Sequence, residues 1–401
     1  MRVIIWLGMD VHKDSITIAV YVGAAARPRE VARLPNDPVK LRRFLARQAD
    51  QGEIRACYEA SGAGFVIARS MKQWGYACEV IAPSLIPQRP GKHRKHDRYD
   101  ASELGRLYRA GELVVVRVPS EAEERVRDVV RCRERFQKEI LQTRHSVLKF
   151  LARRGQVYRE GKNWTKRHWE WLRRLLRPGE LAAEDHLVLS EYMGLLEFKI
   201  GRRDELDRWI EDQALKPYYR KRVAALKCFR GLDVHGGMVL ASEIGDFRRF
   251  GKPDALMSFV GLIPREDSSG ERHRRGSITK AGNSHCRHVL VQAAWSYCRP
   301  PTVGAALKKR QQGASASVVA HSWKAQQRLH KVWKRVSARR GSNIAVVAVA
   351  RELVGFIWAV MQEVERDAEA QQQEQQEQQE QQEQQEQVRE ETVGEPMRPA
   401  A

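Results

Sequence analysis

Asp10 follows an apolar run at residues 3–9, and Glu59 closes a second run at residues 54–58. If those runs are adjacent parallel strands, both carboxylates reach one edge of a sheet, where α/β sites form. Asp97 and Asp100 stand three apart, a spacing that sets two side chains on one face of a helical turn. Carboxylates gathered this closely repel one another unless cations neutralise them. Hard divalent ions such as Mg²⁺ prefer oxygen ligands and keep positions open for phosphate. Two such ions about 4 Å apart stabilise both the attacking and the leaving oxygen of an in-line phosphoryl transfer. Taken singly, each Asp reads equally well as a helix cap or a surface carboxylate.

Cations surround the acidic pair. Arg89, Lys92, His93, Arg94, Lys95, His96 and Arg98 crowd the approach to Asp97, as a site holding a nucleic-acid backbone would require. In the second half, Ser268-Ser269-Gly270 leads into Arg272, Arg274, Arg275 and Lys280. Small residues interleaved with cations read as a mobile loop able to follow a phosphate chain. By itself, a serine in such a loop is a turn residue. Gly231-Leu232-Asp233-Val234 reads as a turn between short helices, whose backbone N–H groups can face a phosphate. His285, Cys286 and His288 have no CxxC partner; they are expected to touch phosphate or cap a helix rather than hold zinc. Trp164, Trp169 and Trp171 suit either stacking on unpaired bases or a small core.

The elements that must position these residues alternate at first between strand and helix. Residues 3–9 and 15–22 read as a hairpin around a polar turn, and residues 41–48 have helical spacing. A strand at 54–58, a helix opened by Gly62 and Gly64 and ending near Trp74, and a strand at 77–81 complete an α/β sheet domain. Residues 100–110 are expected to be helical. Long charged helices at 121–154 and 187–215 bracket the Trp-rich stretch, as a coiled-coil arm or as solvated surfaces. A mostly helical unit follows from about Arg222, with helices expected at 238–244, 255–259, 285–297, 316–336 and 344–364. The Gln-Gln-Glu repeats beyond it bury nothing, which predicts disorder or at best a solvated helix.

Composition narrows the partners. The chain has 401 residues, 71 Lys+Arg against 50 Asp+Glu, and a net charge of +21. Residues 363–401 hold twelve acidic residues against three arginines, a net of −9, which leaves +30 on the body. A body that basic points to a polyanion, nucleic acid first. The six cysteines form no regular framework and read as reduced thiols. No signal peptide is expected, and no stretch is expected to reach the roughly 18 apolar residues of a membrane span.

Gly8-Met9-Asp10-Val11-His12-Lys13, Tyr58-Glu59-Ala60, Ala82-Pro83-Ser84-Leu85-Ile86-Pro87 and Asp97-Arg98-Tyr99-Asp100-Ala101 together resemble the DEDD transposases of the insertion-sequence one-hundred-and-ten family, relatives of the pilin-inverting recombinases. The resemblance runs from about Leu7 to Trp358. His96 and Tyr99 stand where Thr and Arg are usual, and Asp233 replaces a glycine common in the family's helix-hairpin-helix-like element. The resemblance implies a RuvC-like, ribonuclease-H-fold domain at 1–120 whose metal-binding set is Asp10, Glu59, Asp97 and Asp100. It implies a coiled-coil arm at 121–220, a C-terminal transposase domain at 221–365, and leaves a disordered tail at 366–401. The family's nucleophile is the serine directly before the glycine, here Ser269, with Ser268 one residue away. It further implies a Mg²⁺-dependent recombinase acting on donor and target DNA through a serine–phosphate ester. An element-encoded guide RNA, dimers pairing into tetramers and a place in the bacterial cytoplasm on the nucleoid complete the expectation. A hydrolytic RuvC-like nuclease or junction resolvase and a non-catalytic nucleic-acid-binding protein are the alternatives.

Overall fold

A computed structural model describes residues 2–87, 96–269 and 272–393. Arg89, Lys92, Arg94 and Lys95 lie outside the described residues. The chain divides into two compact units, Met1–Ser120 and Glu121–Ala401.

The first unit is a mixed sheet with helices, as the strand-and-helix alternation predicts. Its elements run β1 (Ile4–Val11), β2 (Ser15–Val22), β3 (Glu30–Pro35), α1 (Pro38–Ala49), β4 (Glu53–Glu59), α2 (Val66–Gln73), β5 (Ala77–Ile81), α3 (Asp97–Arg109) and β6 (Val115–Val116). The sheet order is β3-β2-β1-β4-β5-β6. β1, β2 and β3 are antiparallel neighbours, while β4 pairs parallel to both β1 and β5. This arrangement is consistent with a ribonuclease-H-like domain. Ile5, Leu7, Met9, Ile16, Ile18 and Val20 are fully buried, because both middle strands are covered on the face their alternation exposes. α1 begins where Asp37 accepts the Lys40 N–H at 2.9 Å and Pro38 occupies the first turn, a start both residue types favour. β3 was not foreseen, since the apolar Val31, Ala32 and Leu34 of Glu30–Pro35 do not alternate, and it takes its place as an edge strand beside β2.

α3 lies against β1 and β2 with almost no space between backbones. A Cβ at Gly8 would stand 2.3 Å from the Ala101 carbonyl oxygen and 2.3 Å from the Gly105 nitrogen. Gly105 returns the constraint, its own Cβ position falling 2.9 Å from the Tyr21 ring. The Tyr21 hydroxyl donates to the Ser102 carbonyl at 2.8 Å, fixing the same helix from the neighbouring strand. Two glycines and a tyrosine thus set how far the first turn of α3 sits from the end of β1.

The second unit comprises α4 (Glu121–Ala152), α5 (Lys166–Leu175), α6 (Ala183–Ala214), α7 (Pro217–Leu226), α8 (Val234–Ile244), α9 (Pro253–Phe259), β7 (Pro264–Ser269), β8 (Arg272–Ile278), α10 (Ser284–Ala294), α11 (Ala305–Gln311), α12 (Ala316–Arg340) and α13 (Ser342–Val393). α4 and α6 pair antiparallel: Arg133 meets Asp207 at 2.6 Å, Lys199 meets Glu139 at 3.5 Å and Arg154 meets Asp185 at 2.9 Å. At the far end, Phe150, Leu172, Leu189 and Met193 form a small core, with Trp164, Trp169 and Trp171 packed on it. Of the two readings of these tryptophans, the packing one is observed.

Two expectations change and one narrows. The basic stretch around Ser269, expected to be a mobile loop, is a two-stranded hairpin in which Ser269 pairs with Arg272 and Ser268 with His273. The Gln/Glu-rich segment, expected to be disordered or at best a solvated helix, takes the helical alternative and continues α13 to Val393. Gln and Glu are good helix formers, and no Gly or Pro interrupts the chain between Gly355 and Gly394. Finally, α13 does contain a 26-residue stretch, Ser342–Asp367, long and apolar enough to cross a membrane. Its Val349, Leu353, Ile357 and Met361 are buried in the main core of this unit, so the apolarity belongs to packing.

Candidate carboxylate site

β1 and β4 run parallel with Met9 opposite Tyr58. The next residues along, Asp10 and Glu59, therefore leave the sheet at the same edge. Asp97 opens α3 and Asp100 follows within its first turn. His96 caps that turn, its Nδ1 accepting the Arg98 N–H at 3.3 Å. The imidazole thus takes the capping role that threonine commonly fills. Carboxylates at a helix N-terminus are stabilised by its dipole, which is why α3 tolerates two.

His12 completes the cluster. Its Nε2 lies 3.1 Å from Asp10 Oδ2 and 3.7 Å from Asp97 Oδ1. The donor atoms of Asp10, His12 and Asp97 all fall within 4.8 Å of one another. Asp100 adds its field to Asp10 without joining that trio, and Glu59 stands on the adjoining strand. Burial pushes the Asp10 carboxyl above its ordinary value; His12 pulls it back, and Asp97 and Asp100 push it up again. A partly exposed, oxygen-rich set of this kind fits a hard divalent ion held beside phosphate. Sequence reasoning grouped Asp10, Glu59, Asp97 and Asp100 and missed His12, which stands just past the end of β1, two residues from Asp10.

The basic residues expected near the site divide into groups. Arg98 is exposed and turns back to donate to the Val31 carbonyl at 3.4 Å. Arg272, Arg274 and Arg275 have backbone positions on β8, and Lys280 is exposed with a left-handed φ of 56°. Asp233 caps α8, accepting the Gly236 N–H at 2.8 Å. Gly231 has φ +88°, and a Cβ there would meet the Ala293 carbonyl oxygen at 2.5 Å, so that turn admits only glycine.

His285 and Cys286 do not join a metal cluster among the described residues. His285 Nδ1 is hydrogen-bonded to Glu134, and the Cys286 thiol is fully buried. Beside them a buried carboxylate, Glu243, is answered by a half-exposed arginine. Arg131 donates twice to Glu243, at 2.6 and 2.9 Å, and Asn283 donates to the same carboxylate at 2.7 Å. Asn283 also caps α10 by accepting the Cys286 N–H at 2.9 Å. This network ties α4, α8 and the segment leaving the basic hairpin to one another.

A sheet edged by clustered carboxylates, in a chain this basic, defines an enzyme class that transfers phosphoryl groups on nucleic acid. Residues 7–154 match the DEDD transposase model of the IS110 group, and residues 224–307 match the family described as "Transposase IS116/IS110/IS902 family". The protein y4qE of Sinorhizobium fredii, assigned as a transposase, is 35% identical over 90% of this chain and 89% of its own length. The transposase for insertion sequence element IS1533 of Leptospira borgpetersenii is 28% identical over 84% of this chain and 97% of its own. A transposase for insertion sequence element IS1111A of Coxiella burnetii is 22% identical over 77% of each. The chain belongs to the IS110 family of DEDD transposases, and it is a DNA transposase.

Proposed function

We propose that this transposase cuts and rejoins DNA through a covalent ester between Ser269 and the scissile phosphate, with Mg²⁺ held by Asp10, Asp97, Asp100 and Glu59. The observation that carries it is the gathering of Asp10, His12 and Asp97 donor atoms within 4.8 Å at one sheet edge, in a chain whose second family match spans the serine hairpin. Bound there, a divalent cation would withdraw charge from a phosphoryl oxygen and lower the pKa of a coordinated hydroxyl. The remaining work falls to the chain. The Ser269 Oγ–P bond forms as the bond from phosphorus to the departing sugar oxygen breaks. The serine proton leaves to solvent, and the departing oxygen takes one up. The ester conserves the bond, so reversal onto a second strand needs no nucleotide or oxidant. In this reading residues 1–120 form a RuvC-like domain, and the site is composite because its serine belongs to residues 221–365.

An element-encoded guide RNA would choose donor and target by base pairing while the protein reads backbone and shape, a division RNA-guided nucleases illustrate. The basic body suits two kinds of nucleic acid. The arm at residues 121–220 is the interface assigned to dimers that pair into tetramers: Leu187, Leu195 and Phe198 on α6 and Leu141 on α4 are exposed apolar residues, and Phe198 is 62% exposed. Such residues on a paired-helix surface suit helix-to-helix association. The working compartment is the bacterial cytoplasm, on the nucleoid.

The test incubates the protein with its element's flanking RNA, a labelled supercoiled junction plasmid and Mg²⁺, and resolves covalent protein–DNA adducts on denaturing gels. The adduct is expected with wild type and Ser268→Ala, and its loss with Ser269→Ala. Cleavage without an adduct, indifferent to Ser269→Ala, establishes the hydrolytic alternative instead.

A further inference from the structure

Between Arg272 and Arg351 the sequence contains 17 Lys and Arg and not one Asp or Glu. The densest part is α12, with seven cations in 25 residues and no acid. A helix advances about 100° per residue, so Lys324, Arg328, Lys331, Arg335 and Arg339 fall within an arc of roughly 80°. All five are exposed, while Val318, Ser322, Ala325, Leu329 and Val332 bury the other side. The stripe extends about 22 Å at 1.5 Å per residue. At its end a cleft of about 340 Å³ is lined by Arg335, Val336, Arg339, Arg340 and Ile344.

α4 and α6 are also rich in cations, but there most of the charges are answered. Arg125 pairs with Glu121, Arg135 with Glu139, and Arg202 with Glu205. On α12, among the described residues, Arg328 alone has an ion-pair partner, Glu352 at 2.9 Å. Cations in the last turn offset the helix dipole, which accounts for Arg339 and Arg340. It does not account for Lys324, Lys331 or Arg335, which sit one to four turns further back. Like charges at i,i+4 and i,i+3 destabilise a helix by a few tenths of a kcal/mol per pair. An unanswered row of them is expected where a polyanion supplies the missing charge.

We infer that the exposed face of α12, from Lys324 to Arg339, is a phosphate-tracking surface whose occupant is duplex DNA, the evenly spaced phosphodiesters of which complement a straight cationic row.

The experiment measures binding to duplex DNA, single-stranded DNA and a structured RNA across a salt series in EDTA, so its outcome is independent of any cleavage chemistry. It compares wild type, Lys331→Gln, and the triple variant Lys324→Gln/Lys331→Gln/Arg335→Gln. A control triple variant, Arg125→Gln/Arg135→Gln/Arg202→Gln, removes the same net charge from the answered surface. Each lost phosphate contact lowers the slope of log K against log salt by about 0.9 on duplex DNA and about 0.7 on single strands. The stripe triple variant is expected to lose about 2.7 on duplex DNA, and the single variant a third of that. The control is expected to stay near wild type. A loss confined to single-stranded DNA or to the RNA overturns duplex DNA as the occupant. Unchanged slopes on all three, or equal losses in stripe and control variants, overturn the inference; melting curves confirm that each variant is folded.

Discussion

At the scale of single residues, the site is a problem first of a half-buried charge and then of like charge beside it. Asp10 is partly buried, faces Asp97 and Asp100, and is answered from within the cluster by His12 at 3.1 Å. Its folded-state pKa is raised above the ordinary value of 3.8, so the native state holds that proton more tightly than the unfolded chain. Stability of the metal-free protein therefore falls as pH rises through the window between those two values. Asp10→Asn is expected to remove that pH dependence and raise the melting temperature in EDTA, while abolishing DNA cleavage. A thermal scan in EDTA at several pH values, beside a plasmid assay, checks both. If the variant melts below wild type at neutral pH, the repulsion argument is wrong.

Elements set the geometry that single residues cannot. α3 brings Asp97 to Asp10 only because Gly8 and Gly105 let two backbones touch. Gly8→Ala forces a Cβ to 2.3 Å from a carbonyl oxygen; overpacking of this kind typically costs about 1–3 kcal/mol. Urea unfolding should show that loss. Cleavage should fall further than stability does, since the displaced helix carries half the carboxylates. A second element contact gives a pH signature. The hydrogen bond from Glu134 raises the His285 pKa against the opposing effect of burial, so this tie between α4 and α10 is fully present below the ordinary imidazole value. It is lost as pH rises through the raised one. Glu134→Gln should flatten stability against pH in that window, as denaturant titration from pH 5 to 9 would show.

Over the whole molecule, two units each hold a separate core, and domains with their own cores unfold as units. In the second unit the Glu243 carboxylate is 1% exposed. Burial alone would raise its pKa, but the hydrogen bonds and charge of Arg131, with Asn283 and Arg127, outweigh it and hold it below the usual range. Arg131→Ala removes two charge-assisted hydrogen bonds from that carboxylate and leaves it Arg127 and Asn283, a loss of about 1–3 kcal/mol. Calorimetry is expected to show a lower transition for the second unit and an unchanged one for the first. Adding Glu243→Gln should recover much of the loss; a single transition shifting as one would refute the independence of the units.

Much of this was legible in the chain itself. Alternation of apolar residues gave β1, β2, β4 and β5, and helical spacing gave α4, α6 and α12, because each pattern reports a period imposed by local backbone geometry. Asp10 and Glu59 could be placed at one edge, since the ends of parallel neighbours coincide. β3 was missed and the tail left between disorder and helix for different reasons. The apolar residues of Glu30–Pro35, Val31, Ala32 and Leu34, do not alternate, and it is a strand because β2 offers it an edge, whereas the tail has nothing to bury and is helical by intrinsic propensity. The serine hairpin hid behind its own charges, as cross-strand pairing involves residues whose types resemble a loop. His12 joining Asp10 and Asp97, Gly8 meeting Gly105, Trp164 packing rather than standing free, and Glu243 finding Arg131 were decided only by the tertiary structure. Each depends on residues far apart in sequence meeting within a few ångströms, which no local period encodes.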